Sequence, residues 1–224
     1  SSAVVSLEEL RYRPFGESDF HFVTNQVWSV YADGSIELQA MITSSDPSLI
    51  LPRLGYSLTI PKEFSEYTYY GRGPINNYDD RKTGQFIEMH QSKVKEQFVN
   101  FPKPQDMANR EEVRWCALTE GSTGMVFVAT GDMATSALAS TDLDLTVAGH
   151  IYQLPPAGDT VLHLDAKVTG LGGASCGQGG PLEEDRAYAR PTEFGFIIRP
   201  AGTDLSKIAN VSPSGQAPIA ITRS

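Results

Sequence analysis

Cysteine is scarce in this chain. Cys116 and Cys176 are the two in 224 residues, too few for a disulfide framework. Long apolar runs are missing as well. No stretch reaches the roughly 18 apolar residues that predict a membrane-crossing helix. Positive charge is in the minority, with 18 Lys and Arg against 27 Asp and Glu, a formal net charge of -9. Such a surface repels phosphate backbones, which excludes nucleic acid as an expected partner. The opening "SSAVVSLEELRYRPF" lacks the basic head and apolar core of a secretion signal. No H-E-x-x-H, C-x-x-C or calcium-loop spacing occurs, so no dedicated metal site is expected. Amphipathic helices of a dozen residues are absent too, and "KVKEQFV" allows a turn or two at most. No internal repeat is visible.

Period-two alternation fills the chain instead. In "SIELQAMIT", Ile36, Leu38, Ala40 and Ile42 share one face. "WSVYADGSIELQ" places Asp33-Gly34 between two such runs, a strong hairpin signal. "RLGYSLTIP" alternates Leu54, Tyr56, Leu58 and Ile60, and "EVRWCAL" alternates Val113, Trp115 and Ala117. "MVFVAT" predicts a short buried strand. "TVLHLDAKV" sets Val161, His163, Asp165 and Lys167 against Leu162, Leu164, Ala166 and Val168. "EFGFIIRP" brings Phe194, Phe196 and Ile198 to one side. Gly/Pro-rich clusters separate these runs. Many strands, tight turns and no helical crossovers predict an all-β fold, a large antiparallel sandwich. After Pro200 the sequence turns small and polar, which reads as a tail or linker over residues 201–224.

Several stretches mimic catalytic motifs and fail on context. "GASCG" matches the G-x-S-x-G nucleophile elbow, but no helix can start in the following "QGGP". All four histidines, His21, His90, His150 and His163, precede its Ser175, against the required order. "GLGGAS" and "GRGPIN" lack the third glycine of a dinucleotide loop. His163 lies within a strand, where a structural role is the expectation.

The densest stretch is "YYGRGPINNYDDRK", residues 69–82. Adjacent Asp79 and Asp80 invite a glycosidase reading. That chemistry needs two carboxylates roughly 5 to 9.5 Å apart across a scissile bond. Neighbours in extended backbone point to opposite sides instead. One carboxylate is therefore expected to pair with Arg81 or Arg72 and the other to cap backbone N–H groups of the turn. Trp28 and Trp115 fall within strand patterns and are expected in the core, leaving Tyr69, Tyr70 and Tyr78 as candidate exposed stacking faces.

"YYGRGPINNYDDR" resembles the G-x-G-P-x-E-N-Y-x-D-R signature of the C-terminal small-chain domain of bacterial β-galactosidases, glycoside hydrolase family 2. "LPRLGYSLTIP", "FPKPQDMANREEVRW", "DLDLTVAGHIYQL", "LHLDAKVTGLGGASCG" and "FGFIIRP" follow that domain's other motifs in order. Together they cover about residues 20 to 200. The resemblance implies a galactose-mutarotase-like supersandwich over residues 1–200 of a much longer enzyme. The family's two catalytic glutamates lie on a separate (β/α)8 barrel, and this chain has no alternating strand–helix pattern to form one. It implies a non-catalytic domain that shapes the entrance to the barrel's active site and binds carbohydrate, inactive alone. The implied partners are the parent's remaining domains, the barrel above all, and a β-galactoside; the resemblance also allows a homo-oligomeric parent. No cofactor is expected in this chain, although parent enzymes use Mg or Na elsewhere. The resemblance leaves the compartment open between bacterial cytoplasm and periplasm.

By the same resemblance, Asn77, Tyr78, Ser175 and Cys176 are the expected substrate-binding or active-site-facing positions. Cys176 stands where some members carry a stacking Trp. Gly71, Gly73, Pro74, Asp80 and Arg81 are expected to form a structural loop. Three letters depart from the family pattern: Asn76 and Asp106 replace Glu, and Ala108 replaces Gly. Two other readings stay open at this point. The tyrosine and amide cluster at 69–78 suits a free-standing carbohydrate-binding module. A His and a carboxylate meeting in one cleft would suit a mutarotase-like aldose epimerase.

Overall fold

A computed structural model of the chain describes residues 3–12, 19–172 and 179–200. Thirteen strands form these residues: β1 (Ala3–Tyr12), β2 (His21–Val30), β3 (Ile36–Ser44), β4 (Ile50–Leu51), β5 (Arg53–Ile60), β6 (Glu66–Gly73), β7 (Phe86–Lys93), β8 (Trp115–Glu120), β9 (Thr123–Ala129), β10 (Ala134–Leu138), β11 (Thr160–Val168), β12 (Ala187–Tyr188) and β13 (Thr192–Pro200). One six-residue helix, α1 (Asp142–Val147), and a few 3-10 turns complete the description, including one at Val94–Gln97 within "KVKEQFV". The fold is an all-β sandwich, as the alternation and the turn clusters predict.

Eight strands make one antiparallel sheet in the order β1-β2-β3-β13-β9-β8-β6-β7. A second sheet has the order β10-β11-β5, and β4 pairs with β12. The core lies between the two larger sheets. Leu38, Phe127, Phe194 and Phe196 from the eight-stranded sheet meet Ile60, Leu162 and Leu164 from the three-stranded one. Their period-two spacing is what puts one apolar face of each strand into that layer. Tyr56 stacks on Phe194 with centroids 6.2 Å apart, a geometry favourable to aromatic pairs.

The Asp33-Gly34 hairpin forms between β2 and β3. Gly34 takes φ +83, and Asp33 accepts the Ser35 N–H at 3.0 Å. Trp115 is buried and Trp28 packs against the core, as expected. The reading of "EVRWCAL" as one alternating face needs correction. Strand β8 is buried on both faces, with Trp115 and Ala117 against Val126 and Cys116 and Leu118 in the main core. Val113 precedes the strand and joins the main core, on the other side from Trp115.

The opening half of "YYGRGPINNYDDRK" is strand rather than turn. Tyr69 to Gly73 belong to β6, between β8 and β7. Gly71 is there because the chain passes close by: a Cβ on it would stand 2.7 Å from Val113 Cγ2 and 2.9 Å from Val113 Cα. The Gly73–Pro74 bond is cis, and the loop proper runs from there.

Ala108 explains one departure from the family pattern. It is buried at φ +68, where a glycine is at ease and an alanine is strained. Ala108→Gly is expected to stabilise the chain by about 0.5–1 kcal/mol, the strain relieved less the added chain entropy. A thermal melt checks this. A lower midpoint would mean that the methyl's packing against Met107, Leu138 and Leu145 outweighs the strain.

Candidate functional site

Polar letters interrupt the apolar strand β11, and they mark the site. His163 and Asp165 share one face of β11, and both are buried. Beside them β5 begins with Arg53, paired across to Val168 at the far end of a register irregularity between Asp165 and Lys167. Arg53 donates from Nη1 to Asp165 Oδ2 at 3.2 Å and from Nη2 to Asp106 Oδ1. Asp106 Oδ2 accepts from the Tyr78 hydroxyl at 2.9 Å. A continuous row therefore runs Tyr78–Asp106–Arg53–Asp165. Next to it, His163 Nε2 lies 3.2 Å from Asp142 Oδ1 at the start of α1. Thr141 caps that helix by accepting the Asp144 N–H.

Burial dominates the electrostatics of the row. It pushes the Asp165 carboxyl up to about 6, against the pull of the Arg53 guanidinium. It also drives the Tyr78 phenol far up, reinforced by the Asp106 charge. Asp142 moves the other way: its bond to His163 holds the carboxyl below the usual range.

Two clefts share a wall built from Arg53 and Asp142. The first, about 660 Å³, is also lined by Lys103, Asp106, Gly170 and Leu171. The second, about 470 Å³, opens beside His163, Asp165, Gln26 and Tyr56. A loop edge of the first cleft is fixed by Asp80. Its Oδ1 accepts the Leu171 N–H at 3.2 Å and its Oδ2 the Gly172 N–H at 2.7 Å. Gly170 permits the approach, since a Cβ there would stand 2.6 Å from Asp80 Cγ. The signature loop at 69–82 and the start of the Gly-rich motif, residues 170–172, thus meet through one carboxylate.

Several expected positions fall elsewhere than the sequence suggests. Asn77 and Tyr78, expected to face substrate, are 0% and 1% exposed. Their side chains are used up internally: Asn77 spans three backbone groups, and Tyr78 holds Asp106. Tyr69 is equally buried, so of the three tyrosines only Tyr70 keeps an exposed face. Asp79 pairs with Lys82 at 2.8 Å rather than with Arg81 or Arg72, because Arg72 is taken by Glu112 at 2.9 Å. Asp80 does cap N–H groups, but those of the 171–172 segment instead of its own turn. Arg81 donates to Asn76 Oδ1 at 3.1 Å and lies over the Tyr78 ring. Gly71 and Gly73 sit in β6 and Pro74 opens the loop. Ser175 and Cys176 lie outside the described residues, as do residues 201–224. Arg53, Asp142 and Asp165 were not singled out from sequence. Polar letters at alternate positions of β11, with His163 and Asp165 among them, were the available signal.

Both carboxylates that line the first cleft are engaged, Asp106 by Arg53 and Asp142 by His163.

Comparison with known proteins agrees with this organisation. The pattern of the family described as "Beta galactosidase small chain" matches residues 5–198. A beta-galactosidase of Priestia megaterium is 31% identical over 147 residues, 65% of this chain and 14% of that protein. One from Lactobacillus delbrueckii subsp. bulgaricus is 34% identical over the same length, with the same coverages. One from Kluyveromyces lactis is 24% identical over 180 residues, 80% of this chain and 17% of that protein. The chain thus spans about one sixth or less of these relatives. With the match running through nearly all the described strands, this chain belongs to the beta-galactosidase small chain family.

Proposed function

We propose that this chain is a non-catalytic domain of a retaining β-galactosidase that forms one wall of the entrance to an active site carried by a separate barrel domain. One observation carries the reading: the Asp80 clamp, which ties the family's signature loop to the Gly-rich segment at the rim of the larger cleft. That clamp sets the position of a loop edge, which is what an entrance wall requires. The engagement of Asp106 and Asp142, the two carboxylates that line the 660 Å³ cleft, supports a positioning role over bond cleavage, which needs one carboxyl acid and one free carboxylate across the sugar. The chain's share of its relatives' length supports the remaining domains of the parent as its partners.

The test is turnover. The chain alone, incubated with p-nitrophenyl β-D-galactoside, is expected to release no nitrophenol above buffer. Rates comparable to a complete β-galactosidase would overturn the proposal. A second reading, carbohydrate binding by the domain itself, is favoured by the size and polar lining of the 660 Å³ cleft. Calorimetric titration with lactose separates it: measurable heat at millimolar sugar supports binding, and a flat trace removes it.

A further inference from the structure

On the far side of the signature loop lies a smaller cavity of about 370 Å³. Pro74, Ile75 and Asn76 form one wall, and Val99 and Phe101 another. Two guanidinium groups, Arg110 and Arg81, line it. Arg110 is 5% exposed. It donates from Nε to the Tyr69 hydroxyl at 2.8 Å, from Nη1 to the Asn109 carbonyl at 3.0 Å and from Nη2 to Gln97 Oε1 at 2.8 Å. All three acceptors are neutral. A guanidinium has five N–H donors, so two remain without an acceptor among the described residues. No carboxylate forms an ion pair with Arg110 or Arg81 among the described residues. The one carboxylate lining the cavity, Glu96, is exposed and accepts the Lys93 N–H at 2.9 Å. Arg81 donates to the neutral Asn76 amide and lies over the Tyr78 ring, again without a carboxylate.

A buried cation with unused donors beside a cavity is an anion receptor. We propose that this cavity binds a carboxylate group, seated between Arg110 and Arg81 and taking the spare N–H groups of Arg110. The planar guanidinium fork matches a carboxylate. The apolar walls of Ile75, Val99 and Phe101 suit a short carbon stem. The neighbouring Glu96 and the chain's net charge of -9 disfavour a dianion such as phosphate. The carboxylate comes either from a free acid or from an Asp or Glu side chain of another domain.

Acetate is the probe. Melting of the chain in acetate is compared with chloride at equal ionic strength and neutral pH. Acetate is expected to raise the midpoint further than chloride, saturably, by roughly 2–5 °C. Asn76→Glu puts a carboxylate into the cavity from its own wall. This variant is expected to melt higher in chloride and to lose the acetate response. Arg81→Gln, an exposed change that leaves the fold intact, is expected to raise the half-saturating acetate concentration about tenfold, as loss of one charged hydrogen bond would. Identical melting in acetate and chloride overturns the proposal, as does an undiminished response in Asn76→Glu. In a complete β-galactosidase carrying this chain, a retained response assigns the site to free acids. A lost response there assigns it to a side chain of another domain.

Discussion

Replacing Asn77 by alanine is expected to destabilise the chain by about 3–5 kcal/mol, although Asn77 contacts no solvent and carries no charge. Its Nδ2 donates to the carbonyls of Arg72 and Ile75 at 3.0 and 2.9 Å, and its Oδ1 accepts the Glu111 N–H at 2.8 Å. Its backbone is tied as well, the N–H to the Asn109 carbonyl and the carbonyl to Asn109 Nδ2. Truncation strands three backbone groups in the interior, each worth about 1–3 kcal/mol, with partial relief by water. Aspartate does not rescue, because its second oxygen would face the two carbonyls. Arg81→Ala, by contrast, removes an exposed contact worth at most about 1 kcal/mol. Denaturant unfolding of the three variants checks the order. If Asn77→Ala lost less than Arg81→Ala, the neutral amide would not be what holds the loop.

Arg53→Met is the second change with a large effect. It leaves Asp165, 1% exposed, without its cation, and also frees Asp106 and hence the Tyr78 hydroxyl. Breaking a buried pair from one side costs about 3–5 kcal/mol. The pH dependence gives the sign. With Arg53 present, the folded Asp165 carboxyl sits at about 6, above the ordinary carboxylate value near 3.9. Between those values the folded chain holds more protons than the unfolded one, so this group's contribution falls as pH rises. Below about 4 both forms are protonated and the penalty vanishes. Losing Arg53 raises the folded value further. The deficit of Arg53→Met against the parent chain is therefore expected to be small near pH 4.5 and largest at pH 8. A deficit independent of pH would remove charge burial as the cause, and Asp165→Asn in the same background should recover part of it at pH 8.

What the sequence reveals depends on how local each cause is. The Asp33-Gly34 hairpin is legible because its determinants are adjacent letters. The apolar faces of β3, β5 and β13 are legible because alternation repeats along one strand. Strands β1 and β7 are edge strands with one neighbour each, so solvent blurs their alternation. Strand β10, "ATSAL", is buried throughout with small residues and carries no period at all. Gly71 and Gly73 mimic turn letters, yet the reason for Gly71 is Val113, forty-two positions away in sequence and 2.7 Å from where its Cβ would stand. The site fails to show for the same reason. His163 and Asp165 stand out within their strand, but Arg53, Asp106 and Asp142 become their partners only after the sheets and α1 assemble. Resemblance recovers the signature loop and the Gly-rich loop as motifs without saying that Asp80 joins them.

The way the Gly-rich segment is closed off has a use in protein engineering. Gly170 donates its N–H to the Asp185 carbonyl at 2.8 Å, and Leu171 and Gly172 donate to Asp80. On the returning side, Arg186 Nε donates to the Pro181 carbonyl at 2.9 Å and the Ala187 N–H to Thr169 Oγ1 at 2.8 Å. A Cβ on Gly172 would stand only 3.5 Å from the Gly180 carbonyl carbon, so the two sides run side by side. Leu171 and Gly172 hang on the Asp80 side chain, whereas Gly170 and Ala187 do not, so the position of this cleft edge can be adjusted through a single letter, residue 80, without rewriting the edge itself.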